Sequence, residues 1–160
     1  MEKSNIDEKI KLLTGSGMWH TQEVEDLPSV HLSDGPHGLR KQEEKERQNN
    51  VSLVSTCYPT ASALACSWNV TAAERLGRAV AKEAWNADVA VLLGPGINMK
   101  RSPLCGRNFE YFSEDPFLAG RLGAAYVSAA QGEDVAVSLK HFAANNQETN
   151  RQTSVSYTHL

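Results

Sequence analysis

Four side chains of different chemical type stand where a parallel α/β chain builds its sites: Asp34, Arg107 and the adjacent pair Lys140 and His141. A carboxylate, a guanidinium, an ammonium and an imidazole can together donate to and accept from several vicinal hydroxyls, as a neutral polyol requires. A sugar is the natural ligand for such a set. Each residue also has a plainer reading when taken alone. Asp34 lies in the turn-forming run Asp34-Gly35-Pro36-His37-Gly38, and Asp favours turns for its own local hydrogen bonds. Arg107 has Glu110 and Glu114 nearby, so a loop-fixing ion-pair network fits it equally. Lys140 and His141 close an apolar strand, where a lysine needs a partner; a satisfied lysine beside a core histidine fits as well as a ligand-binding pair. Arg151, on the polar stretch beyond, says nothing by itself.

Arg107 belongs to the densest stretch of the chain, Lys100 to Pro116 (KRSPLCGRNFEYFSEDP). Charged residues alternate there with Phe109, Tyr111 and Phe112 over more positions than a simple turn needs. Long structured loops in compact domains tend to carry function, and this one reads as a wall of a binding site. Cys105 within it reads as a packed thiol, because neither a helix N-terminus nor an obvious base activates it. The preceding GPGIN (Gly94 to Asn98) lacks the spacings of a phosphate loop, and no helix follows it promptly.

The elements that must hold these residues follow from periodicity and caps. Near the start, Ser4 and Asp7 have capping-box spacing, Ile6, Ile10 and Leu13 form one stripe, and Gly15 marks a stop, which predicts a short amphipathic helix. A strand over Val30 to Ser33 runs into the Asp34 turn. Lys41 to Asn50 is almost wholly polar and reads as a solvated loop. A helix is expected from about Thr71, with Glu74 completing a capping box and Leu76, Val80 and Ala84 on one face. Val89 to Leu93 reads as a buried parallel strand. Asp115 as N-cap and Pro116 at the first helical position open another helix, which buries Leu118, Leu122, Ala125 and Ala129 and ends at Gly132. A third strand is expected over Val135 to Phe142.

This β-loop-α-β-loop-α-β order is that of a parallel α/β sheet. Helix-to-strand joins are short, near Ala87-Asp88 and Glu133-Asp134, whereas strand-to-helix joins are long and polar. In such folds the long joins lie at the C-terminal ends of the strands, where sites are built. Asp34, Arg107 and Lys140-His141 all fall at or beyond those ends.

Composition narrows the classes. The chain has 160 residues, 41% hydrophobic and 22% charged, with a formal net charge of -3, an ordinary soluble make-up. No clustered Lys/Arg face speaks for nucleic acid, and no apolar run has the length of a membrane span. The charged start lacks the apolar core of a secretory leader. Three cysteines without CxxC spacing argue against a disulfide framework or zinc site, so a reducing, cytoplasmic setting is expected.

Three separated runs, HLSDGPHGLR, LLGPGINMKRSPLCGRNFEYFSEDP and SLKHFAANNQETNR, resemble the N-terminal domain of glycoside hydrolase family 3, and most its β-glucosidase branch. The resemblance extends to about Thr153. It implies an α/β fold, the N-terminal portion of a (β/α)8 TIM-barrel-like domain, over residues 1–153, and retaining hydrolysis of terminal β-D-glucosyl or related residues. By the same resemblance Asp34, Arg107, Lys140, His141 and Arg151 bind the substrate sugar, a β-glucoside or oligosaccharide, and no metal or organic cofactor is implied. Adjacent residues of a regular strand face opposite sides. If Lys140 and His141 both reach one sugar, the backbone must be irregular there, through a bulge or a cis peptide.

The family's catalytic aspartate lies in an SDW-type motif, which this sequence lacks, and its acid/base comes later still. A complete barrel needs about 250 residues, and only three strand candidates are present. The expectation is therefore a piece of an enzyme, inactive alone and poorly soluble or partly unfolded, with SVSYTHL (154–160) as an aberrant or truncated tail. The alternative is a non-catalytic sugar-binding piece or an inert truncation product. A rival reading makes Asp34 and Glu110 a catalytic carboxylate pair. An N-acetylglucosaminidase of the same family is disfavoured, because its His-Asp pair is replaced here by AANNQET.

Overall fold

The structure is a computed structural model, and it describes residues 6–24, 26–42 and 51–153. Its elements are helix α1 (Ile6–Lys11), strand β1 (Leu32–Asp34), helices α2 (Ala61–Cys66) and α3 (Val70–Asn86), strand β2 (Val91–Leu93), helix α4 (Pro116–Gln131) and strand β3 (Ala136–Val137), with a 3-10 turn at Asn108–Glu110. The strands form one parallel sheet in the order β1-β2-β3, with Leu32 opposite Val91 and Val91 opposite Ala136. This is the expected parallel α/β arrangement, an incomplete part of a TIM-barrel-like fold.

The two long helices form where caps and apolar spacing agree. In α4, Asp115 accepts from the backbone N–H groups of Phe117 and Leu118, Pro116 opens the helix and Gly132 closes it. Its buried face is Ala119, Leu122, Tyr126, Ala129 and Ala130, so the stripe is turned slightly from the expected one, and Leu118 and Ala125 sit at its margin. In α3 the cap is Asn69, whose side chain accepts from the Ala72 N–H. The expected Thr71–Glu74 box does not form, because the helix already begins at Val70; Glu74 pairs instead with Arg78, one turn on, at 3.3 Å.

Leu76, Val80, Ala81 and Ala84 of α3 meet Leu122 and Tyr126 of α4 in a core that also takes in Leu92 of the central strand. The helices approach so closely that a Cβ at Gly77 would lie 2.4 Å from the Tyr126 carbonyl oxygen. Short joins to the strands are buried at Val89 and Val135.

The expected short helix forms as α1, and its stripe, Ile6 and Ile10 with Leu13 just beyond the helix, is exposed: amphipathic spacing states that a helix has an apolar face, not what covers it. Ser4 lies outside the described residues, as do 43–50 and 154–160. The third strand is only Ala136–Val137 rather than eight residues, because beyond Ser138 the backbone turns aside to pair with the loop after β2: Ile97 donates to the Lys140 carbonyl at 2.9 Å, and Lys140 to that of Pro95 at 3.2 Å. Finally, α2 has no counterpart among the expected elements; Thr60 caps it by accepting from Ala63, and its small residues Ala61 and Ala65 pack without an obvious stripe. Among the described residues, no helix is long and apolar enough to cross a membrane.

Candidate functional site

The C-terminal ends of the three strands release the chain into the segments that carry the expected polar side chains. Asp34 is the last residue of β1 and enters a turn that only glycine can make: Gly35 has φ +122°, and a Cβ there would lie 2.0 Å from the Gly38 carbonyl oxygen. The buried Tyr126 hydroxyl donates to the Pro36 carbonyl at 2.8 Å, tying this turn to the helix layer. Beyond β2, the loop from Lys100 to Pro116 is folded on itself. Lys100 donates to the Ser62 hydroxyl at 2.5 Å, and that hydroxyl donates to the Asn108 carbonyl at 2.9 Å, so α2 braces the 3-10 turn that presents Arg107 and Glu110. Beyond β3, Asn98 accepts from the His141 backbone N–H at 2.5 Å. The backbone is irregular there, as two adjacent side chains serving one rim require: the Lys140–His141 peptide is cis.

These three segments meet in a charge network. The Lys140 ammonium lies 2.9 Å from Asp34 Oδ1 and 3.2 Å from Glu110 Oε2, and the Arg107 guanidinium bonds Glu110 from the other side through Nε. The Glu110 side chain is 5% exposed, so both of its cations are needed to offset its desolvation. Burial alone would raise the Asp34 carboxyl, but its hydrogen bond to Lys140 and the charges of Lys140 and Arg40 hold it below the usual range. Glu110 likewise outweighs its burial through Arg107 and Lys140 and is held low. Both carboxylates are therefore ionised at neutral pH.

A second chain of contacts runs alongside. Arg151 donates to Glu148 at 3.0 Å, Asn145 donates to Glu148 at 2.8 Å and to the Tyr111 hydroxyl at 3.0 Å, and that hydroxyl lies 2.8 Å from His141 Nδ1. Burial raises the Tyr111 phenol, and burial together with Arg107 and Lys140 lowers the His141 imidazole, so both are neutral near pH 7. The phenol oxygen accepts from Asn145, and where the phenol is also the donor to Nδ1 the imidazole proton sits on Nε2.

Asp34, Arg107, Glu110, Lys140 and Arg151, with His37 and Phe109, line a cleft of about 440 Å³. A neighbouring cleft of about 260 Å³ is lined by His141, Asn145 and Glu148, and shares Arg107 and Arg151 with the first. All five residues expected at the site thus lie on two adjoining clefts. Lys140 spends two of its three N–H groups on carboxylates and keeps one, and among the described residues the terminal amino groups of Arg107 make no hydrogen bond. The arrangement offers fixed donors and acceptors for hydroxyls.

Sequence reasoning weighed Glu110 only as a loop ion pair or a rival catalytic carboxylate; it is the buried hub of the network. Ser62, Asn98, Asn145 and Glu148 were missed. For the last two the signal is faint, a polar run without periodicity. Cys105 is buried, as a packed thiol should be. Among the described residues no group of three His, Cys, Asp or Glu side chains could hold a metal.

Comparisons with known proteins bear on the family and the fold. The sequence profile of the glycosyl hydrolase family 3 N terminal domain matches residues 29–159. The chain is 50% identical to thermostable beta-glucosidase B of Acetivibrio thermocellus over 157 residues, covering 96% of this chain and 21% of that protein. It is 48% identical to the exo-alpha-(1->6)-L-arabinopyranosidase of Bifidobacterium longum, covering 91% of this chain and 20% of that one. The solved structure of beta-glucosidase 3B from Thermotoga neapolitana in complex with glucose superposes with a TM-score of 0.81 at 37% identity, over 90% of this chain and 22% of that one. The chain spans about a fifth of the length of the curated relatives it matches.

Proposed function

The chain belongs to glycoside hydrolase family 3, and on that premise we propose that it supplies the glycone-binding pocket of a retaining hydrolase that removes terminal non-reducing β-D-glucosyl residues. The observation that carries this reading is the cleft in which Lys140 is held between two ionised carboxylates, Asp34 and Glu110, with Arg107 beyond them. A retaining glycosidase needs a nucleophile and an acid about 5 to 5.5 Å apart, with the acid's pKa raised. Asp34 and Glu110 are both held low by cations, so neither delivers a proton near neutral pH. That argues against the rival catalytic pair and for a binding role.

In this reading Asp34 accepts from sugar hydroxyls, while the remaining N–H of Lys140, the amino groups of Arg107 and the Nε2–H of His141 donate to them. Arg151, fixed by Glu148, borders the same space. Such a set holds the ring in one orientation and polarises its hydroxyls as an oxocarbenium-like transition state develops. The nucleophile and acid/base come from outside these clefts. A second reading, a hydrolase of pentopyranosides, is favoured by the 48% identity to an arabinopyranosidase.

The test compares the purified chain with the full-length Acetivibrio thermocellus relative on a chromogenic aryl β-D-glucoside, and titrates the chain with methyl β-D-glucoside. The relative should turn over, and the chain should bind without turnover, with weaker binding in Asp34→Asn. Turnover by the chain that survives stringent purification would make Asp34 or Glu110 catalytic and overturn the reading.

A further inference from the structure

Residues 53–59 have no regular secondary structure, and hydrogen bonds nonetheless hold them beside the outgoing limb of the Asp34 turn. The Leu53 N–H donates to the Lys41 carbonyl at 2.8 Å, the Ser55 hydroxyl to that of Leu39 at 2.6 Å, and the Tyr58 N–H to that of His37 at 3.0 Å. The two segments come closest at Gly38, where a Cβ would lie 2.8 Å from the Thr56 carbonyl oxygen. On its other side the same limb is tied to β1, because the Arg40 N–H donates to the Asp34 carbonyl at 2.9 Å. Asp34 and Arg40 both line the larger cleft. The backbone that carries Arg40 is thus held between β1 and residues 53–58.

An irregular segment has no ladder of its own, so bonds from outside decide its path. Here they come from α3. Glu83 accepts from the Thr56 N–H through Oε2 at 3.1 Å and from the Tyr58 phenol through Oε1 at 2.7 Å. One turn further on, the Ala87 carbonyl accepts from the Lys41 ammonium at 2.5 Å. Burial would raise the Glu83 carboxyl, but its bonds from Thr56 and Tyr58 hold it below the ordinary range, so it is ionised at neutral pH. Bonds to an ionised acceptor are stronger than neutral ones. Burial and Glu83 together raise the Tyr58 phenol, which stays a donor. Glu83 itself lines neither cleft.

We propose that Glu83 is a positioning residue for the larger cleft: from α3, outside the cleft, it fixes residues 56–58 and through them the turn that sets Asp34 and Arg40. The path is continuous, from Glu83 to Tyr58, from Tyr58 to the His37 carbonyl, and from Arg40 to the Asp34 carbonyl. Groups that hold a ligand need such support behind them, since their own rotamers do not fix the backbone they stand on. The proposal rests on the glycone reading above for the ligand it names.

The experiment titrates the chain, Glu83→Ala and Glu83→Gln with methyl β-D-glucoside, and follows amide hydrogen exchange in each without sugar. Glu83→Ala should weaken the affinity of the folded population by roughly 10-fold, the worth of one hydrogen bond to a charged group. The amides of Leu53, Tyr58 and Arg40 should exchange faster in it, while those of Leu122 and Ala130 in α4 keep their rates. Glu83→Gln, which keeps an oxygen acceptor for Thr56, should recover most of both effects and covers the case in which Glu83→Ala fails to fold. A merely stabilising role would speed all of these amides together and leave the affinity of the folded population unchanged, which overturns the proposal. Faster exchange confined to Leu53, Tyr58 and Arg40 with unchanged affinity overturns it too, and leaves the glycone reading standing. A wild-type chain that does not bind the glucoside overturns both.

Discussion

The helix layer and the strand-end rim are held together by opposite means. Between α3 and α4 the contacts are apolar and shape-determined: Leu122 and Val80 are fully buried, and Gly77 admits the Tyr126 backbone where any side chain would collide. At the rim, three segments far apart in sequence are joined by charge, with Lys140 reaching Asp34 across 106 positions and Glu110 across 30. Apolar packing is non-directional and indifferent to pH, whereas a buried charge network is directional and exists only while its carboxyls are ionised. The first contributes at any pH; the second contributes only while Asp34 and Glu110 are ionised, and it fixes donors and acceptors at the rim.

The largest separation should come from one truncation on each side. Leu122→Ala removes a wholly buried side chain and should cost about 2–5 kcal/mol, read from the denaturant midpoint, by the same amount at pH 7 and pH 5. Lys140→Met leaves Asp34 and Glu110 facing each other without their shared ammonium. Its cost should be about 2–3 kcal/mol at pH 7, below that of a fully buried pair because the Asp34 side chain is 32% exposed, and it should abolish glucoside binding. If Lys140→Met lost no more stability than a surface lysine does, the network would be ornamental and the contrast would fail.

A smaller effect tests the pH half of the contrast. Asp34 and Glu110 have folded pKa values below their unfolded ones. Their contribution is thus complete above the ordinary carboxyl range and is lost as pH falls through the lowered values. Stability of the wild type should decline on acidification from about pH 5 downward, and Glu110→Gln should flatten that decline. Urea titrations at several pH values measure both. A slope unchanged in Glu110→Gln would assign the acid sensitivity to other carboxyls.

The contrast also explains what was legible in the sequence. The helix layer was, because a cap and a 3.6-residue period are local signals: Asp115, Pro116, Leu122 and Gly132 fall as expected. The types of the rim residues were legible too, and all five expected positions converge. Their partners were not. Nothing near Ser62 or Asn145 in sequence announces that one braces the Arg107 turn and the other links Tyr111 to Glu148. The cap of α3 was misread because Thr71–Glu74 has the spacing of a box, yet Asn69 already satisfies the helix start. The stripe of α1 was read correctly as amphipathic, but its partner surface is not encoded in its own period.

Tyr126 belongs to both regions, and the smallest substitution tests whether they are coupled. Its ring is buried in the helix core while its hydroxyl donates to the Pro36 carbonyl, inside the turn that carries Asp34 and His37. Burial raises its phenol well above the ordinary value, so the hydroxyl stays a donor throughout the working range. Tyr126→Phe keeps the ring and removes one hydrogen bond, leaving the Pro36 carbonyl unpaired, at a cost of about 1 kcal/mol. If the apolar layer positions the rim, glucoside binding should weaken in this variant, whereas Leu122→Ala should leave binding by the folded population unchanged. Unaltered binding in Tyr126→Phe would mean that Gly35 and polar ties such as the Lys140 bridge hold the turn without help from the apolar core. The core and the rim would then be independent, and the rim would owe its geometry to polar contacts alone.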